Sequence, residues 1–343
     1  MKNLLFVLII IFLSVLSFSQ KVDSKVYLIV AKDGTGDFTT IQDALNSLPT
    51  KNQNPYTIFI KDGIYNEKIF IEQSNLIICG ESRENTIIEF AELRKNWRKE
   101  NNDDDYGAGV VNIKKDVTDI VFKSLTIINN YGKLYDDHDH SFAIRGFDGV
   151  TRIILDDCSV ISYGGDTVSL WNKDDGMYYH NNCYFEGWVD YVCPRGYCLI
   201  ENSKFFGHNL TASIWHDGSK SDDQKFVIKN SMFDGVEGFP LGRFHWDAQF
   251  YLIDCTFSSN MADKQLFFAP SNPPRILQWG EDRIYYSNCT VEGKEYSWLK
   301  DNLEESEEHP TKEEITEDWI FNGLWNPTKV LQKTDSVISM IKY

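Results

Sequence analysis

The sequence predicts an all-β chain wound into a right-handed parallel β-helix, with a capping helix at its N-terminal end and a loop and helix at its C-terminal end. Three observations predict it. Four short strings resemble one another, "LDDCSVI" (155–161), "HNNCYFEG" (180–187), "LIDCTFSS" (252–259) and "YSNCTVEG" (286–293). Each places Asn or Asp before Cys, and three more, at Ser124, Ser203 and Ser231, read with Ser in the Cys place. These anchors recur about 20 to 34 residues apart, the variable period of a solenoid in which each repeat is one coil. The segments around them, such as "TDIVFKSLTI", "QKFVIKNSMF" and "AQFYLIDCTF", are rich in β-branched and aromatic residues with period two, so one face of each stacks on the next coil. Helical periodicity is scarce through the middle of the chain.

Taken in order, "MKNLLFVLIIIFLSVLSFSQ" (1–20) has Lys2, an apolar run from Leu4 to Leu16 and small residues after it. This is the layout of a secretory signal peptide, with a retained N-terminal anchor as the alternative. Residues 21–343 then form a single domain, expected in a secreted or periplasmic compartment with no membrane contact after cleavage. "FTTIQDALNSLP" (38–49) has Ile41, Ala44, Leu45 and Leu48 at helical spacing, Thr39 or Thr40 as cap and Pro49 as stop. It reads as a helix over the open end of the solenoid. The segments 96–107 and 129–140 read as insertion loops, with Asp103–Asp105 a solvated charge run in preference to a calcium site. The acidic tail, 299–326, reads as a loop plus helix along the coils, and "SVISMIKY" as apolar docking sequence.

Composition narrows the function. The net charge is −17, and no basic stripe is available to neutralise phosphates, which argues against nucleic acid. An acidic polymer is compatible only through a local basic site or with its own charges masked. The seven cysteines form no CxxC pair, and the repeat places most of them in a packed column inside the coil, as small buried residues rather than disulfides or metal ligands. No metal, no cofactor and a monomer are expected.

A β-helix builds function from side chains that project outward from successive coils onto one groove. Two acids interrupt the strand pattern in neighbouring repeats: Asp166, eight residues after Cys158, and Asp190, seven after Cys183, in the apolar run "EGWVDYVCP" that reads as a buried strand. Equivalent phase in adjacent coils sets them side by side. Two such carboxylates resist ionising together, so one is pushed towards the acid and the other stays charged if a cation helps. Arg243 in "FPLGRFHW", twelve residues after Ser231, is the candidate cation; a surface salt bridge is the other reading of it.

The chain resembles the pectin methylesterases (pectinesterases, carbohydrate esterase family 8). "VAKDGTGDFTTIQDAL" (30–45) is similar to that family's opening segment, "DGIYNEKIFI" (62–71) to its G-x-Y-x-E strand, "GDTVSLW" (165–171) to its Q-D-T-L block, "GWVDYVCP" (187–194) to V-D-F-I-F-G, and "LGRFHW" (241–246) to L-G-R-P-W. Order and rough spacing agree from about residue 27 to about 327. The resemblance implies a pectin-lyase-like solenoid and a carboxylic ester hydrolase that removes methyl groups from a methyl-esterified acidic polysaccharide. It implies Asp190 as nucleophile, Asp166 as general acid and then base, and Arg243 as the group that orients Asp190 and keeps it ionised. Substrate contacts are implied for Trp246 and Tyr191, with Trp188, Trp171, Trp215, His245 and Arg195 as further candidates.

The chain departs from the pattern at the oxyanion. The family's Gln before the first Asp is Gly165 here, and a Gln in its Q-A-V-A-L-R block is His140 in "HSFAIR". An oxyanion donor is worth roughly 3–4 kcal/mol in other enzymes, so His140 and a backbone N–H near Gly165 are the candidate replacements. Pro194 also replaces the family's usual Gly after the nucleophile block, and Arg195 is added beside it. A different ester or polysaccharide is therefore expected; a non-catalytic glycan-binding β-helix and an esterase or thioesterase on another acyl substrate are the alternatives.

Overall fold

The computed structural model describes residues 27–52, 54–305 and 310–341; the proposed signal peptide lies outside them. The strands stack in parallel, in one eight-stranded and one seventeen-stranded sheet. The two twelve-residue strands Thr118–Asn129 and Thr151–Ser162 turn a corner midway, at Ser124 and Asp157. They divide the larger sheet into two ladders, so a coil has three sides. Tyr197–Glu201, Lys204–Gly207 and Ile214–His216 make one coil; Phe226–Lys229, Met232–Gly235 and Gly242–Phe244 stack on it in register as the next. The chain is a parallel β-helix.

The corner explains the repeat. Ser124, Asp157, Asn182, Asn202, Asn230, Asp254 and Asn288 all have φ between 48° and 55°. A side chain at that φ brings its Cβ against the backbone, and Asn and Asp tolerate it best after Gly. Four of the corner amides bond the next coil. The N–H of Asn182, Asn202, Asn230 and Asp254 donates to a carbonyl of the following coil at 2.9–3.1 Å. The structure corrects one register: Leu125 pairs with Cys158, so Ser124 holds the Asn/Asp position and not the Cys position.

The residue after the corner points inward. Cys158, Cys183, Ser203, Ser231 and Cys255 are buried, and all seven cysteines are unpaired. Their S–H and O–H groups are satisfied by carbonyls, as in Ser203 Oγ to Glu201 O at 2.7 Å and Cys183 Sγ to Asn181 O at 3.3 Å. Beside this column runs an aromatic stack, Phe185, Phe205, Phe233 and Phe257, in which the Phe205 and Phe233 rings lie 4.1 Å apart at 4°. In-register coils bring like residues together, and burial of these rings is a main source of stability.

The ends close the solenoid. The helix Ile41–Ser47 is capped by Thr40, whose hydroxyl accepts the Asp43 N–H, and it buries Ile41, Ala44 and Leu45. At the other end the tail returns along the first side, where Ile315, Ile320, Phe321, Trp325, Leu331 and Ile338 pack against Ile77, Val121, Ile154 and Val227. The docking sequence is the latter part of a fifteen-residue helix, Pro327–Ile341, longer than the sequence suggested. The insertions also hold helices, Arg94–Glu100 and Tyr131–Tyr135. The charge run is not wholly solvated. Asp105 accepts from Arg94 at 2.8 Å through both oxygens, from Arg98 at 3.1 Å and from buried Arg145 at 3.1 Å, and this anchors the first insertion to the coil.

Asn202→Ala should destabilise the protein by about 1–2 kcal/mol, because alanine in the left-handed region carries the Cβ cost without asparagine's compensation. Asn202→Gly should stay within about 0.5 kcal/mol of wild type. Urea denaturation of the three proteins checks the order.

Candidate active site

The same backbone geometry builds the site at another corner, where the chain passes from the second side to the eight-stranded third side. Asp190 is not in a strand. It follows Tyr184–Gly187 and precedes Val192–Pro194, with φ 53°, and Asp166 stands before Val168–Leu170 with φ 59°. Val168 pairs with Val192, so Asp166 and Asp190 occupy the same position in adjacent coils. The Asp166 N–H donates to Val189 O and the Asp190 N–H to Ala212 O, both at 2.9 Å. These bonds fix the two carboxyls to one edge of the groove.

Arg243 arrives two coils later, on Gly242–Phe244, in register with Trp215. Its Nε donates to Asp190 Oδ1 at 3.1 Å and its Nη2 to Oδ2 at 2.7 Å. This bidentate fork fixes the carboxylate plane. Asp190 is 5% exposed. Burial pushes its carboxyl up to about 6 against the pull of Arg243, with the Asp166 charge adding to the rise. Asp166 is also raised, chiefly by burial, and is opposed by the positive charges of His140, Arg195, Arg145 and Arg94. The result is two buried carboxyls at equivalent positions, both raised, with a cation committed to one of them.

The oxyanion candidates differ in what they have left to give. Gly165 pairs with His140 in a parallel bridge, but its N–H already donates to Asp139 O at 3.3 Å, so it is not a free donor. A side chain at Gly165 would also meet Val189 O at 3.2 Å. The His140 ring is half exposed, and its Nδ1 lies 2.7 Å from Asp139 Oδ1.

Several aromatic candidates are corrected by packing. Tyr191 is inside the coil and 0% exposed, so it offers no surface to a sugar. Trp171 is covered on both faces by guanidinium groups, Arg145 at 4.1 Å and Arg195 at 3.8 Å. Trp188 is sandwiched between His138 at 4.1 Å and His208 at 4.3 Å. Trp215 is buried, with Arg195 over its ring at 4.7 Å and His245 edge-on at 5.1 Å. Arg195 is fully buried, with its Nη1 on Cys193 O and Asp217 3.6 Å away, so it offers no surface to a ligand. Trp246, 44% exposed with Arg275 at 5.5 Å, is the most exposed of the candidates, while His245, Trp171 and Trp188 are half-buried. Burial and the nearby Arg243 and Arg275 charges lower His245 to about 4, so it is neutral at pH 7. Sequence reasoning missed the Arg145–Trp171–Arg195–Trp215 ladder, since no local pattern shows that every second residue of these strands stacks across coils. Among the described residues no group of His, Cys, Asp and Glu has the arrangement of a metal site.

Comparison with known proteins agrees with the parallel β-helix. The pectinesterase family model matches residues 27–233. A probable pectinesterase 56 of Arabidopsis thaliana is 30% identical over 200 residues, 54% of this chain and 61% of that protein. A putative pectinesterase 11 of the same plant is 26% identical over 276 residues, 77% of this chain and 70% of that protein. Among solved structures, pectin methylesterase PemA from Erwinia chrysanthemi superposes with a TM-score of 0.66 at 21% identity, over 87% of this chain and 97% of that one. The carrot pectin methylesterase gives 0.62 at 18% identity, over 79% and 84%. Shared architecture, and a family match that runs through both corner acids, place the chain in the pectinesterase family of carboxylic ester hydrolases.

Proposed function

We propose that the chain hydrolyses methyl esters of a uronic-acid polysaccharide, pectin or a related uronan, through an aspartate nucleophile. The observation that carries this reading is the bidentate Arg243 fork on buried Asp190, one coil from an acid of equivalent position. An ionised Asp190 Oδ attacks the ester carbonyl carbon and forms a tetrahedral intermediate with an oxyanion. Its collapse breaks the C–O bond to methanol, which leaves with the proton of Asp166, and the sugar acyl group remains on Asp190 as an anhydride. Asp166, now a carboxylate, takes a proton from water. Hydroxide adds to the anhydride, and Asp190 is released. Raised protonation of Asp166 suits the first half of the cycle, and the four surrounding positive charges suit the second. An esterified substrate has its carboxylates masked, which is compatible with a chain of net charge −17.

Export follows from the apolar leader, and we place the enzyme outside the cytoplasm. Among the described residues no helix is long and apolar enough to cross a membrane.

Methanol release from methylated pectins and other methylated uronans, with product analysis by NMR, tests the reaction. Asp190→Ala should lower kcat by at least about 10³; undiminished turnover in that variant removes the nucleophile assignment. Glycan binding with no release from any ester would leave a binding groove.

The pH dependence has a defined sign. Asp190 acts as an anion and its carboxyl is raised to about 6, so kcat/KM should fall about tenfold per pH unit below about 6; the fall on the alkaline side belongs to Asp166, whose raised carboxyl must hold the proton it gives to methanol. Arg243→Gln removes the cation that holds the carboxylate charged, and this acid limb should move to higher pH.

The two tryptophans separate by readout. Trp246→Ala should raise KM for polymeric substrate about 5- to 10-fold with Tm unchanged, the loss of one exposed sugar platform of about 1 kcal/mol. Trp188→Ala removes a sandwiched ring and should lower Tm instead. Steady-state kinetics paired with thermal denaturation checks both.

A further inference from the structure

The inward column behind the corners ends in two thiols that the proposed reaction does not use. Across the last two coils Ile253 pairs with Ser287, and Thr256 with Thr290. The Asp254 N–H donates to Ser287 O at 2.9 Å, and the Thr290 N–H to Cys255 O at 3.0 Å. These bonds bracket Cys255 and Cys289 and set them opposite each other, each one residue after a left-handed corner, at φ 53° and 50°. One coil spacing is about 4.8 Å, inside the Cα separation of about 4.4–6.8 Å that a disulfide spans. The sulfurs converge as well. Cys289 Sγ lies 3.3 Å from Leu252 O and 3.5 Å from Ser287 O. Cys255 Sγ lies 3.5 Å from both Ile253 O and Ile228 O. Leu252 and Ile253 are consecutive, so both thiols reach the same short stretch of backbone.

We propose that Cys255 and Cys289 form a cross-linking site, which a disulfide-bearing oxidant closes after export and which staples the last coil to the one before it. The inference rests on the export proposed above and is independent of the esterase reading. Access and reactivity divide the roles. Cys289 follows the strand Ile284–Ser287 of the last coil, so no further coil stacks over it, and it is half-buried. A hydrogen bond from Cys255 lowers the Cys289 thiol below its ordinary value, and burial raises Cys255. Cys289 is therefore the attacking thiolate. It gives its proton to solvent and bonds to one sulfur of the oxidant, whose S–S bond breaks and releases one thiolate. Cys255 then loses its proton and displaces the second thiolate from the mixed disulfide. Two electrons pass from the protein to the oxidant, and the two protons end on the released thiols.

Cys158 and Cys183 repeat the arrangement two-thirds of the way back along the column. Ser159 pairs with Tyr184, Cys158 Sγ lies 3.4 Å from Asp156 O, and Cys183 Sγ lies 3.4 Å from Leu155 O. That pair is enclosed, 0% and 2% exposed, with coils on both sides. It stays reduced in the folded chain and is an internal control. Ser203 and Ser231 separate the two pairs in the column. The staple at Cys255 and Cys289 also encloses residues 256–288, a segment that forms one wall of the site. Phe267 in it pairs with Arg243, and Arg275 lies over the Trp246 ring at 5.5 Å.

The test exposes the folded, reduced full chain to oxidised glutathione, alkylates it under denaturing conditions and maps the digest by mass spectrometry without reductant. One linked peptide should join Cys255 to Cys289, lighter by two hydrogens than its two halves, with the other five cysteines alkylated. The oxidised protein should melt about 3–6 °C above the reduced one. Cys289→Ser should lose both the linked peptide and the difference in Tm. Serine should fold at that position, because Ser203 and Ser231 already stand in the same column. Cys158→Ser should keep both readouts. Alkylation of all seven cysteines after oxidation overturns the proposal. So does a linked peptide that joins Cys158 to Cys183 or Cys289 to a second chain, and so does a Tm difference that survives in Cys289→Ser.

Discussion

Everything in this protein depends on the in-register stacking of parallel coils, and that stacking depends on a left-handed backbone residue at each corner. A coil must turn sharply while presenting its amides and carbonyls to the coils above and below. A residue with φ near 50° achieves this in one step, and Asn and Asp tolerate that conformation where most residues do not. The corner column from Ser124 to Asn288 is the structural use of this fact. Asp166 and Asp190 are the functional use of it. The backbone rule that permits an acid at a corner also sets two acids side by side when adjacent coils obey it.

The site then works against the stability of the fold. The folded Asp190 carboxyl holds its proton up to about pH 6, whereas an unfolded aspartate releases it near 3.9. The folded chain therefore binds more protons between these values. This group contributes a stability that declines as pH rises from about 4 through about 6, and above that range its ionised form is a cost to the fold. The Arg243 fork offsets part of that cost and fixes the carboxylate plane, so the interaction that limits the penalty also orients the attacking atom. Around Asp166 the same is done at longer range. Arg145 and Arg195, stacked on Trp171, hold positive charge under the groove without occupying it.

Much of this was legible in the sequence. Period-two strands and the Asn/Asp–Cys repeat reflect local requirements, an inward face and a left-handed corner, and local requirements leave local patterns. The similar spacing of Asp166 and Asp190 after their cysteines, eight and seven residues, had the same origin, with the one-residue difference absorbed in the turn before the third side. The helix Arg94–Glu100 left no such pattern, because it has no buried face of its own and is tied down by Asp105. The aromatic candidates were misjudged for a related reason. Trp171 and Trp188 stand next to the motif acids in sequence, but whether a ring faces solvent depends on what the neighbouring coil places over it, and His208 or Arg195 comes from a distance no window spans.

The sequence by itself determined the coil: which residues turn, which point inward, and which two acids share a phase. These follow from backbone conformation and alternation, properties of residues a few positions apart. Only the tertiary structure decided the site's electrostatics. Arg243 takes both oxygens of Asp190 across 53 residues, Asp139 leaves His140 with one free nitrogen, and the Gly165 amide is already taken. These outcomes depend on distances between coils, and charges and hydrogen bonds act through space and not along the chain.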